Sequence, residues 1–315
     1  CIRLPSCSRM MRRFSRTVVM TCLGLTATAV SFAQSAPDPL VVRKAINDSC
    51  LATQGVKASV DKVEDLKIPA ADRTIRARYY RPKVTTPLPI LMFIHGGGFV
   101  AGNLGTHDNA CRFLCKQVPC LVVSIDYRLA PEHKFPAQSD DCYAATLWTA
   151  KNAARLGGDP NRIAVIGDSA GGMLAAALCQ ESRDRQGPEF LAQVLVNPVL
   201  DFSRIDAKGF EGSRLFRGYY LNDLKDETTR LASPLLAENL TGLPPALVLV
   251  AEKDIRRRQG EAYVAKLREA GVPANAYCQY GADHLGPMWA AASPIAQEPM
   301  DVAIGFLKSA FKPRQ

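Results

Sequence analysis

The sequence predicts an α/β fold: an open, mostly parallel central sheet flanked by helices. Three observations carry that expectation. From residue 60 onward, short β-rich runs alternate with helical patterns. Several of those runs are apolar without interruption, as in strands buried on both faces of a parallel sheet. Helix-length segments separate them, which suits right-handed crossovers from one parallel strand to the next. The composition agrees. With 315 residues, 47% of them hydrophobic and 22% charged, the chain can bury a large core and is no disordered tail. It shows no short glycine period and no sustained heptad, so collagen-like and coiled-coil readings fail. The length would allow two domains, but α/β folds commonly use this many residues as one.

Taken in order, strands are expected at Ile75–Tyr80, Ile90–Ile94, Leu121–Ile125, Ile163–Gly167, Ala192–Val196, Ala246–Ala251 and Ala274–Tyr280. Helices are expected near 105–117, 138–154, 170–184, 260–270 and 299–312. Two regions break the alternation: residues 34–60, with a helical stretch at Pro39–Thr53, and residues 201–235, rich in Arg, Gly, Tyr and Asp. Each reads equally as connecting surface or as a loop covering a site, with the tandem Tyr219-Tyr220 as apolar contact. Ligands of such sheets sit beyond the carboxyl ends of the strands, so functional residues are sought there first.

The N-terminus reads as an address. Arg12-Arg13-Phe14-Ser15-Arg16 follows Met10 and Met11, an apolar run extends from Thr17 to Phe32, and Ser31-Phe32-Ala33 forms a small-x-small end before Gln34. That is the pattern of a secretory signal peptide. The run is 16 residues long and diluted by Thr17, Thr21, Thr26 and Thr28, short for a membrane span. The expectation is therefore export to the periplasm or the medium, with no membrane span left after cleavage. The Arg-Arg pair is a weak sign of the folded-protein export route. Cys1 to Arg9 precede any methionine and read as upstream sequence.

The net charge of +9 suggests nucleic acid until its placement is considered. Residues 1–33 hold five arginines and no acid; outside them 34 bases face 30 acids, a net +4. No basic stripe interleaved with aromatics appears, so no nucleic-acid partner is expected. Of ten cysteines, Cys1, Cys7 and Cys22 fall in the leader. The other seven (Cys50, Cys111, Cys115, Cys120, Cys142, Cys179, Cys278) are an odd number, mostly inside apolar patterns where thiols act as small core residues. Cys111 and Cys115 stand i,i+4 on one helix, a poor bridge geometry, which leaves Cys111–Cys120 as the candidate disulfide. No Cys-x-x-Cys pair or Cys/His cluster suggests a metal.

The chemistry gathers at strand ends. Strand Ile163–Gly167 runs into Gly167-Asp168-Ser169-Ala170-Gly171-Gly172 and an Ala/Leu-rich helix. This is Gly-x-Ser-x-Gly in its strand–turn–helix setting: the glycines remove side chains that would clash around a sharp turn, and Ser169 is lifted to a helix N-terminus that favours negative charge. Strand Ile90–Ile94 ends in His95-Gly96-Gly97-Gly98-Phe99, whose bare amides can turn toward a tetrahedral oxyanion. A phosphate cradle is the alternative, but Phe99-Val100-Ala101 lacks the Lys-Ser/Thr that it needs. A nucleophile requires a base. His95 suits a loop anchor, and His107 and His133 precede Ser169; only His284, in Tyr280-Gly281-Ala282-Asp283-His284, follows both nucleophile and last strand. The orienting acid is expected at Asp254, 85 residues after Ser169 and 30 before His284. Glu252 is the rival, placed on the same side by strand alternation, and Asp283 fits less well. Arg256-Arg257-Arg258 follows at a helix start, where cations are disfavoured; it reads as a solvated turn, or as a positive cluster that keeps Asp254 ionised.

Together these residues resemble the hormone-sensitive-lipase family of bacterial α/β-hydrolase esterases, whose His-Gly-Gly-Gly and Gly-Asp-Ser-Ala-Gly-Gly signatures stand at 95–98 and 167–172. Asp126-Tyr127-Arg128-Leu129-Ala130-Pro131-Glu132-His133, Phe135-Pro136-Ala137, Pro198-Val199-Leu200-Asp201, Ser233-Pro234-Leu235 and Leu243-Pro244-Pro245 extend the likeness, which runs from about Leu40 to Phe311. The resemblance implies an α/β-hydrolase fold and a carboxylesterase acting on small-molecule esters, with no cofactor or metal. It implies Ser169 as nucleophile, Asp254 as acid, His284 as base, and Gly97, Gly98 and Ala170 as oxyanion donors. It divides the chain into signal peptide and upstream residues (1–33), an N-terminal lid segment (34–60), the hydrolase core (61–200 and 236–315) and a shortened lid insertion (201–235). It is also compatible with a homodimer through the edge strand Ala274–Tyr280. Three departures stand out: Asp254-Ile255-Arg256 where Asp-Pro-Leu is usual, His284-Leu285-Gly286 where His-Gly-Phe is usual, and no aromatic-rich helix between Tyr220 and Ser233. The short lid predicts an open pocket that admits bulkier esters. An amidase or formamidase using the same three residues is the alternative activity. A small-molecule receptor built on a dead hydrolase pocket is a third reading, against which Ser169, Asp254 and His284 are all present.

Overall fold

The structure is a computed structural model that describes residues 36–84, 87–205, 211–284 and 294–312. The leader expected at 1–33 lies outside the described residues. Among the described residues, eight strands form one sheet: β1 (Lys62–Pro69), β2 (Thr74–Arg81), β3 (Leu88–Ile94), β4 (Leu121–Asp126), β5 (Gly158–Asp168), β6 (Phe190–Val196), β7 (Ala246–Ala251) and β8 (Ala274–Gln279). Their order is β1-β2-β4-β3-β5-β6-β7-β8. β1 pairs antiparallel with β2, and β2 with β4; every later pairing is parallel. This is the α/β-hydrolase arrangement expected from the motifs.

The sequence-predicted strands are all present. Only β1 was not expected, because Lys62, Glu64, Asp65 and Lys67 interrupt it and Ile68 is its one buried residue. Such a polar edge strand carries no apolar signal. Helices are α1 (Pro39–Thr53), α2 (Asp108–Gln117), α3 (Ala137–Lys151), α4 (Ala153–Leu156), α5 (Ala170–Asp184), α6 (Glu211–Tyr220), α7 (Arg257–Glu269) and α8 (Pro294–Ala310). The helix expected at 138–154 is divided at Asn152. The last helix begins five residues earlier than its predicted start and carries Pro299 inside it, although proline usually marks a first turn. Beyond α6, the segment to Ser233 holds a single 3-10 turn, Leu224–Thr228.

Strand alternation divides the core into two layers. Ile90, Met92 and Ile94 face a layer closed by α3, α5 and α7 residues such as Cys142, Met173 and Tyr263. Leu91 and Phe93 face a second layer closed by Leu114 of α2 and Ala303 and Leu307 of α8. Each buried Ile, Leu, Met or Phe side chain among these contributes roughly 1.5–3 kcal/mol by leaving water. Cys111, Cys115 and Cys120 all lie buried in this second layer, where burial pushes their thiols far above the ordinary range. The Cys111–Cys120 bridge considered from the sequence is not formed: all seven described cysteines are free. Three thiols inside an apolar layer pack as small hydrophobes instead. Among the described residues, no helix is long and apolar enough to cross a membrane.

Candidate active site

Parallel pairing of β3 with β5 sets Ile94 beside Gly167, so the glycine loop after β3 and the turn after β5 emerge side by side. Ser169 adopts φ 51 and ψ −115, a positive-φ conformation rare for a residue with a side chain, and α5 begins at the next residue. Its amide is tied to the carbonyl of Val196 at 2.8 Å. Close packing explains two of the flanking glycines. A Cβ on Gly167 would meet the Gly171 carbonyl oxygen at 2.3 Å, and one on Gly171 would meet the Ile94 carbonyl oxygen at 2.1 Å. Only hydrogen atoms fit between these backbones.

Ser169, His284 and Asp254, far apart in sequence, form one hydrogen-bonded line. Ser169 Oγ lies 2.8 Å from His284 Nε2, and His284 Nδ1 lies 2.6 Å from Asp254 Oδ2. With the proton on Nδ1 donated to the carboxylate, Nε2 is left to accept the Ser169 O–H. Asp254 is buried and His284 partly so. Burial alone would raise the Asp254 carboxyl. The hydrogen bond and electrostatic attraction of His284, and then the charge and backbone amide of Arg256, outweigh it and hold the group below the ordinary carboxylate range.

The neighbours of Asp254 correct one sequence expectation and narrow another. Glu252 does not share its side: the chain turns directly after Ala251, with the Asp254 amide bonded back to the Ala251 carbonyl at 3.1 Å, so strand alternation no longer applies. Glu252 is exposed and accepts the Gly281 amide at 2.7 Å, bracing the turn that leads to His284. Of the three arginines, Arg256 does help keep Asp254 ionised, while Arg257 and Arg258 stand apart from it. Arg256 donates its amide to Asp254 Oδ1 at 3.0 Å and reaches Ser213 Oγ of α6 at 2.9 Å. Arg257 pairs with Glu261 at 2.6 Å, and Arg258 is exposed.

Asn197, at the end of β6, escaped the sequence reading. It is buried, has φ 44, and its Nδ2 donates to the main-chain carbonyl of His284. The available signal was a polar residue directly after an apolar strand and before Pro198, too common a pattern to single out. Leu285 and Gly286, which depart from the usual pattern, lie outside the described residues.

In the glycine loop, Gly97 and Gly98 have φ 121 and 62 and are partly exposed. Their amides and that of Ala170 have no acceptor among the described residues. His95 is buried: Nδ1 bonds the Gly96 carbonyl at 2.8 Å and the ring stacks on Tyr127 at 4.3 Å. Burial, then the neighbouring His107, depresses its pKa to about 4, so it stands as a neutral loop anchor. From above, the Phe216 ring of α6 lies where a Cβ on Gly98 would be, 2.5 Å away. Helix α1 clasps the outer turn of the loop: Arg43 Nε donates to the Val100 carbonyl at 2.5 Å, and Asn47 Oδ1 accepts the Gly102 amide at 2.8 Å. Among the described residues no group of three or more His, Cys, Asp or Glu is placed to hold a metal ion.

Comparison with known proteins points the same way. A family model described as alpha/beta hydrolase fold matches residues 91–286. Carboxylic ester hydrolase LipN of Mycobacterium tuberculosis is 44% identical over 239 residues, covering 71% of this chain and 63% of that protein's length. An arylesterase of Saccharolobus solfataricus is 38% identical over 288 residues, 86% of this chain and 90% of its own. Among solved structures, EstE1, a thermophilic carboxylesterase cloned from a metagenomic library, superposes with a TM-score of 0.84 at 38% identity, covering 90% of this chain and 100% of that one.

Proposed function

This chain belongs to the α/β-hydrolase family and is an ester hydrolase, and from that premise we propose that Ser169, His284 and Asp254 cleave short- to medium-chain carboxylic esters through an acyl-enzyme. The observation that carries the reading is the hydrogen-bonded line from Ser169 Oγ through His284 to Asp254. Nε2 takes the Ser169 proton as Oγ attacks the ester carbonyl carbon, and Asp254 fixes the ring tautomer and steadies the imidazolium. The carbonyl oxygen becomes an oxyanion received by the amides of Gly97, Gly98 and Ala170. The C–O bond then breaks, and the alcohol leaves with the proton from Nε2. Water next attacks the acyl-enzyme, giving its proton to the same nitrogen. Ser169 recovers a proton as the acid is released. The relatives are named for esters, and no observation favours the amide alternative.

A p-nitrophenyl ester ladder from acetate to decanoate tests the reading. Activity should peak at the shorter chains and fall by at least ~10³-fold in Ser169→Ala. Substantial activity retained by that variant would reject Ser169 as nucleophile. Export remains a second proposal resting on the leader pattern. Amino-terminal sequencing of protein recovered from the periplasm or medium should begin at Gln34, and retention of the protein in the cytosol would refute it.

A further inference from the structure

Asp168 stands one residue before Ser169 and takes no part in the proton transfers above. Its carboxylate is buried, and a single oxygen, Oδ1, meets both the Gly96 amide at 2.8 Å and His107 Nε2 at 3.3 Å. The approach of loop to turn is as close as chemistry allows. A Cβ on Gly96 would stand 2.3 Å from Asp168 Oδ2 and 2.8 Å from its main-chain oxygen. Beyond this contact the loop swings outward into the positive-φ residues Gly97 and Gly98. One side chain on the strand that bears the nucleophile therefore fastens the base of the loop.

We propose that Asp168 is a positioning residue for the oxyanion loop: by accepting the Gly96 N–H it fixes the peptides from which the Gly97 and Gly98 amides project, so that nucleophile and oxyanion donors share one anchor. The inference rests on the reading of Gly97 and Gly98 as oxyanion donors. An oxyanion site works only if its donors are set before charge develops, since donors that must first reorient lose their advantage. Burial alone would raise the Asp168 carboxyl; its contact with His107 and the hydrogen bond from the Gly96 amide outweigh burial and hold it below the ordinary carboxylate range, so it stays an acceptor for that amide.

Two substitutions of similar size separate the possibilities. Asp168→Asn keeps an acceptor for Gly96, whereas Asp168→Leu has none. In the leucine variant kcat should fall about 10²-fold with KM changed less than about 3-fold, because the oxyanion contact is made in the transition state and not in the ground state. The asparagine variant should stay within about 10-fold of the parent. A role confined to stability would lower the melting temperature and leave kcat of the folded fraction intact. Unchanged kcat in Asp168→Leu, or an equal loss in both variants, overturns the proposal. Should the leucine variant not fold, hydrogen exchange at the Gly96 amide decides. It should be protected in the parent and in Asp168→Asn, and free exchange in the parent refutes the anchor. An inactive Ser169→Ala beside a fully active Asp168→Leu would remove this inference alone. An active Ser169→Ala would remove the mechanism beneath it.

Discussion

Every residue of β3 is buried, whereas α1 has no fully buried residue and reaches the glycine loop through Arg43 and Asn47. The two flank the same catalytic loop and hold it by different physics. β3 is gripped by two apolar layers, a non-directional attraction spread over many contacts, and it is lost only when the core opens. Helix α1 contributes only the partly buried Val42 and Ile46 to a small cluster with Val100, Ala101, Ala130 and Tyr219. Otherwise it relies on directed bonds: Arg43 to Val100, Ala130 and Glu132, and Asn47 to Gly102. Water can replace each of these. The loop is thus fixed from beneath and clasped reversibly from above.

The contrast breaks most sharply at Gly171. A methyl group there would press on the carbonyls of Ile94 and His95, which belong to buried backbone and cannot step aside. Gly171→Ala should cost more than about 3 kcal/mol and abolish activity in whatever fraction folds. Urea unfolding measures the first part, and a loss under 1 kcal/mol would mean that the elbow is far more pliant than its packing implies.

The next effect depends on pH. His95 is neutral and buried in the fold, with its pKa depressed to about 4, so between about pH 6.5 and 4 the unfolded chain binds a proton that the folded one does not. Stability contributed by the unprotonated ring is therefore complete above pH 6.5 and declines as the pH falls toward 4, by about 3 kcal/mol. His95→Gln should lose this slope. Parallel stability–pH curves for parent and variant would show that the ring does not resist protonation.

The smallest effect probes α1. Arg43→Ala should weaken the attachment of the helix by about 1–2 kcal/mol. The melting temperature should hardly move, because the helix can open alone. Hydrogen exchange should quicken across Pro39–Thr53 and remain unchanged in β3. Equal acceleration in both would erase the distinction between the regions.

Legibility in the sequence follows the same division. Strands such as Ile90–Ile94 and Ala246–Ala251 announce themselves because burial on both faces demands unbroken apolar runs. Ser169 and the glycine loop are legible because close backbone approach demands glycine at fixed spacing. What stayed hidden depends on how turns aim side chains. The choice between Asp254 and Glu252 is made by a turn directly after Ala251, and the bond from Asn197 to His284 joins residues 87 apart. β1 stayed hidden for a different reason: it lies at the sheet edge, where charged residues can face water without cost. Residue type alone does not reveal that Arg256 leaves its neighbours to bridge Asp254 and Ser213.

The shallow seating of α1 has an evolutionary side. A helix that places nothing in the deep interior can exchange most of its residues without forcing compensating changes in the sheet, provided the few polar clasps survive. Mutational drift is thereby channelled to the rim of the molecule. Descendants of this chain could acquire new preferences there one substitution at a time, while the bond-breaking apparatus below is inherited unaltered.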